Sequence, residues 1–181
     1  GAVNLLPSSG AVSTVRIERS GVAQPLSVPL RIATPGFFET LGLRAVEGRV
    51  LGDDDTANSL RVAVVSLSLA RRLALEGEPV VGSTIPHMRP RSQDVLSIVG
   101  IVPDLADADA GVEALYLPFA QASRQAAAGQ ATFVFHSALP GRERELRALV
   151  AKAAPGMPIF AVTSIADLYS ARLAPNRRTT G

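Results

Sequence analysis

Apolar and polar positions alternate along much of the chain, and the period of the alternation marks out the elements. Val12, Val15 and Ile17 alternate with Ser13, Arg16 and Glu18, the period-two pattern of a half-buried strand. Residues 21–24 are turn-like and Leu26 to Ile32 reads as a second strand, so the pair predicts a hairpin with a longer loop. Arg61 to Val65 is a short apolar run and a candidate buried strand. Asp94 to Val102 is the strongest strand. Val95, Ser97, Val99 and Ile101 fall on one side, and Leu96, Ile98, Gly100 and Val102 on the other. Both sides are mostly apolar, which places it centrally in a sheet. Ala114 to Leu117, Ala131 to Ser137 and Met157 to Val162 read as further strands.

The helical signals are as local. Thr34 is a suitable N-cap with Pro35 at the first helical position, Ala33 and Phe38 sit at the two staple positions, and Gly42 ends the turn. Ser66 can cap a helix from Leu67 to Leu75 with Leu69, Ala70 and Leu73 facing the core. Arg142 to Ala153 predicts a regular helix, with Leu146, Leu149, Val150 and Ala153 as its buried face and Arg144, Arg147 and Lys152 as its wet one. Thr163 or Ser164 caps a last helix through Leu173. His87 to Gln93 reads as a polar, proline-bearing loop, and Phe119 to Gln130 as a weak helix or mobile loop. The expected class is mixed α+β, with strand–cap–helix units of split βαβ type and a β-rich stretch between 82 and 137.

Composition narrows the function classes. Hydrophobic residues are 47% of the 181 and charged residues 19%, which excludes a disordered segment. The longest apolar stretches, such as Val95–Val102, are far short of a membrane span. Net charge is +2, the arginines are scattered and Lys152 is the only lysine, so no basic stripe suggests nucleic acid. The absence of cysteine removes disulfide frameworks, zinc ribbons and thiol catalysis. Gly1 and the run Arg177 to Gly181 carry no cap or closing apolar element, and both ends read as cuts from something longer.

Little chemistry is on offer. No phosphate loop, dinucleotide fingerprint, metalloprotease helix, calcium loop or nucleophile elbow occurs. Asp53-Asp54-Asp55 is the best metal candidate, but adjacent carboxylates in an extended chain cannot all face one ion, and a structural role is expected. His87 and His136 lack the partners of a triad. Glu143 and Glu145 lie among Arg142, Arg144 and Arg147 as surface pairs, Glu39 and Asp104 are isolated acids beside turns, and Phe37, Phe38, Tyr116 and Phe119 read as core. Arg177-Arg178 fits a flexible basic end, a phosphate-binding patch or an anchor near lipid headgroups. No catalytic, cofactor-binding or metal residue is assigned, and no cofactor is expected.

An ordered set of short motifs carries a resemblance. Thr34 to Leu43 with Glu47-Gly48-Arg49, Val62 to Ser66 with Leu69 to Leu73, Gly77-Glu78-Pro79 with Gly82, Ser97 to Asp104, Tyr116 to Gln121, and the tail Leu173-Ala174-Pro175 resemble, in order, the MacB-like periplasmic core domain of FtsX/MacB-type ABC transporter permeases. The wording is closest to the duplicated permeases called orphan for lack of an adjacent ATPase. Departures are Ser66 for the usual Asn cap, Ala74-Leu75 for Trp-Pro, and Ser83 for a basic residue.

The resemblance implies two lobes. Residues 1–81 with 138–176 would form a porter-like lobe, 82–137 an inserted β-rich lobe, and 177–181 a juxtamembrane tail. It implies a non-catalytic interaction and coupling module between two transmembrane helices, on the periplasmic side of the inner membrane. Partners would be those flanking helices, a cytoplasmic ATPase subunit, and a periplasmic protein or second permease copy. The alternatives are a free-standing two-lobed periplasmic protein that binds a small ligand, and a hydrolase built on His87 or the Asp53–Asp55 cluster.

Overall fold

The computed structural model describes residues 2–3, 14–17, 25–75, 78–89, 92–105, 113–122, 132–135, 142–153, 155 and 164. The chain divides into two units, Gly1–Phe135 and His136–Gly181. The first holds strands β1 (Ala2–Val3), β2 (Thr14–Ile17), β3 (Leu26–Ala33), β4 (Glu47–Gly48), β5 (Val62–Ser66), β6 (Thr84–Arg89), β7 (Ser92–Val102), β8 (Leu115–Pro118) and β9 (Thr132–Phe133). It also holds helices α1 (Gly36–Thr40) and α2 (Leu67–Leu73) and a 3-10 turn at Phe119–Gln121. The mixed α+β class is as expected.

The strands join one mixed sheet in the order β2-β6-β7-β5-β8-β3-β1-β9, with β4 beside β7. β2 also pairs with β3, so β2, β6, β7, β5, β8 and β3 hydrogen-bond in a closed circuit. β3–β8 and β5–β7 are parallel and the other pairings antiparallel. The predicted hairpin is present, with Ile17 opposite Leu26. Strands β6, β7 and β8, from the stretch 82–137, pair with β2, β5, β4 and β3. They share one sheet with the earlier strands, and the division between units falls after Phe135.

Alternation along the strands feeds two cores. On β5, Ala63 and Val65 pack with Ile17, Val28, Leu96, Ile98 and Leu115. Val62 and Val64 pack on the other face with Phe37, Phe38, Leu51 and Tyr116. Strand β8 splits the same way, Leu115 and Leu117 to the first cluster and Tyr116, with Ala114 just before the strand, to the second. Strands covered on both faces read as unbroken apolar runs, and β5 and β8 do.

Strand β7 departs from strict alternation. Ala63 pairs with Ile98, but Val64 pairs with Gly100, so Val99 is an extra residue in a bulge. Beyond a bulge the side chains change face. Ile101 therefore joins Leu96 and Ile98, and Val102 goes to the opposite core. The expected grouping of Ile101 with Val95 and of Val102 with Leu96 is overturned for this reason. The hairpin partner β6 also overturns the expected loop at His87. Its backbone runs as a strand, with His87 opposite Asp94 and Ile17.

Helix α1 ends as predicted. Gly42 has φ 68°, its N–H donates to the Glu39 carbonyl (2.9 Å), and the Leu43 N–H donates to the Phe38 carbonyl (2.8 Å). This is the paired 6→1 and 5→2 closure that favours glycine. Its start differs. Pro35 itself holds the cap position and Thr34 does not cap. The Thr34 hydroxyl instead accepts from Ala2 N (2.8 Å) and donates to Ala2 O (3.2 Å), because β1 lies alongside and engages it.

In the second unit, α3 (Glu143–Ala153) matches the predicted helix in extent, and Arg142 pairs with Glu145 at 2.7 Å. The expected buried face is not buried, and Leu149 is 62% exposed. A 3.6-residue stripe fixes which face is least polar; only a partner element covers it. The predicted strand Met157–Val162 and helix to Leu173 lie outside the described residues, as do His136, Arg177 and Arg178. No described helix is long and apolar enough to cross a membrane.

Candidate functional site

Three side-chain fastenings order the loops around β5 and β7. The first begins with two glycines. Gly48 of β4 lies opposite Gly100 of β7. A Cβ on Gly100 would fall 1.9 Å from the Arg49 carbonyl oxygen, and one on Gly48 2.2 Å from that of Val99. Only glycine admits so close a crossing. The crossing carries Arg49 to Asp55, whose carboxylate takes a forked pair of bonds from the guanidinium (2.8 and 2.7 Å) and a third from Gly52 N (2.8 Å). The Asp55 side chain is 3% exposed and that of Arg49 51%. The hydrogen bonds from Arg49 hold the Asp55 carboxyl below the ordinary carboxylate range against the opposing effect of burial, and the Arg49 guanidinium is raised in turn.

The second fastening is Gln121, buried in the 3-10 turn after β8. Its Oε1 accepts from Val62 N (3.0 Å). Its Nε2 donates to the carbonyls of Leu60 (2.9 Å) and Thr56 (3.1 Å) and to the Ser59 hydroxyl (3.1 Å). Arg61 donates back to the Gln121 carbonyl (3.0 Å). One amide thus sets the start of β5 and the loop that leads to it.

The third holds the N-terminus of α2. Ser66 accepts from Leu69 N (3.4 Å), as predicted for a cap, and also from Ala114 N (2.9 Å). Asp104 accepts from Ser68 N (2.9 Å) and from the Ser68 hydroxyl (2.7 Å). A carboxylate here satisfies free N–H groups and the positive helix end. Arg72, in the last turn, pairs with Glu113.

The candidate chemistry of the sequence is not gathered into one place. Asp53 and Asp54 are exposed while Asp55 turns inward to Arg49. Among the described residues no cluster of His, Asp and Glu could hold a metal ion. Phe37, Phe38 and Tyr116 are core, with ring centroids 5.2 to 6.3 Å apart. Phe119 is not, being more than half exposed, because it lies one residue past the end of the β8 ladder. Sequence reasoning missed Gln121 and Asp104 as fastenings. Both stand inside motifs quoted for the resemblance, which was the available signal.

A model of the MacB-like periplasmic core domain matches residues 4–164. The chain belongs to that family. The family comprises periplasmic or extracellular domains of MacB/FtsX-like ABC transporter permeases, without catalytic activity in this domain. Solved structures share the fold. The periplasmic region of MacB from Actinobacillus actinomycetemcomitans aligns with TM-score 0.63 and 18% identity, covering 99% of this chain and 77% of that one. A domain of a putative permease protein from Porphyromonas gingivalis aligns at 0.55 and 15%, covering 84% and 63%. The extracellular domain of the noncanonic ABC-type transporter YknZ from Gram-positive bacteria aligns at 0.56 and 14%, covering 79% and 73%. No curated protein matches. In this MacB-like domain several motif residues fasten loops or fill the second core, among them Arg49, Ser66, Asp104 and Gln121 for the first and Phe37, Phe38 and Tyr116 for the second.

Proposed function

We propose that this MacB-like domain is a non-catalytic coupling and interaction module, standing on the periplasmic side of the inner membrane between two transmembrane helices of its permease. Its partners are those helices, a cytoplasmic ATPase subunit, and a second permease copy or a periplasmic protein. The family match across residues 4–164 carries this reading. The closed strand circuit supports it, since a ring without free edges moves as a body and passes displacement on instead of absorbing it.

Sidedness is tested in the parent permease with a cysteine at the exposed Asp53, since this segment has none of its own. Labelling by a membrane-impermeant maleimide in intact cells with a permeabilised outer membrane is expected, and protection until lysis overturns the reading. Coupling is tested in the assembled transporter by one spin label at the exposed Glu39 and a second at the cytoplasmic end of a flanking transmembrane helix. Their separation is expected to differ between ATP-bound and nucleotide-free states, and an unchanged distance overturns the coupling role. The grouping of 1–81 with 138–176 in one lobe belongs to the same proposal. A 1–137 fragment that melts at the same temperature as the whole chain would overturn it.

A further inference from the structure

We draw no further inference here: the strongest candidate, the exposed apolar row of Phe119, Phe133 and Phe135 that runs across the ends of β8, β3, β1 and β9, carries nothing because nothing in the structure shows what covers it.

Discussion

The segment from Arg49 to Val62 is held at its start by an ion pair and at its end by a neutral amide. Arg49 and Asp55 meet where the guanidinium still reaches water, with its side chain half exposed. Gln121 works in a buried site, and every bond described for its side-chain amide is to a neutral group. The difference follows from desolvation. A charge pair is tolerable where one partner stays hydrated, whereas a fully buried one has to offset several kcal/mol per ion. A glutamine supplies a donor and an acceptor at once without that penalty.

The strongest way to break the comparison is to remove the crossing that brings Arg49 to Asp55. Gly100→Ala would set a Cβ against the Arg49 carbonyl at 1.9 Å, backbone against backbone, and should cost about 3 kcal/mol or more. Equilibrium urea unfolding reads this directly, and a loss below about 1 kcal/mol would mean that the crossing is looser than described.

At the neutral end, Gln121→Leu leaves the Val62 N–H and the carbonyls of Thr56 and Leu60 without this partner and should cost about 2–4 kcal/mol. Gln121→Glu keeps the shape but replaces the donor by a carboxylate, so at neutral pH it should be no better than the leucine variant. If it melts like the parent protein, the donor half of the clamp contributes nothing.

The ionic end should be asymmetric. Arg49→Ala strands a buried carboxylate with only Gly52 N and is expected to cost about 2 kcal/mol, whereas Asp55→Asn releases a half-exposed arginine to water and should cost about 1. The reverse order in thermal melts would contradict the geometry. The pH dependence has a definite sign. The folded carboxyl of Asp55 is depressed, so its contribution is complete above the unfolded carboxylate value and is lost as pH falls through the folded one. The Arg49→Ala and parent melting temperatures should therefore converge in acid, while the Gln121→Leu deficit persists there.

The smallest effect is expected in the second unit. Leu149→Gln on α3 should change stability by less than about 0.5 kcal/mol, since the side chain is already mostly in water.

Sequence alone located the parts whose causes are local. Ser66 caps α2, Leu69, Ala70 and Leu73 are buried, and Gly42 closes α1 with a positive φ. Each depends on neighbours within four residues. What escaped depends on distant ones. Thr34 satisfies the local rule for a cap but is taken by Ala2, thirty-two positions away. Gln121 stands in a stretch read as weak helix or mobile loop, yet it binds residues about sixty positions earlier. The bulge at Val99 adjoins the crossing of Arg49 at Gly100, and no periodicity within β7 reveals either. The apolar stripe of α3 was legible, and its exposure was not, because a stripe does not name its cover.

The closed strand circuit sets an order of events during synthesis. Its closing contacts join β2 to β6, Ile17 to His87, yet the far side needs β8, which ends at Pro118. Until about two-thirds of the chain has left the ribosome, β3 and β5 each lack the neighbour that lies between them. Their unpaired backbone is then a template for the wrong strand, so this domain passes its most aggregation-prone moment just before the six-strand circuit closes. A nascent chain stalled shortly before Leu115 is the form that a chaperone has most reason to hold.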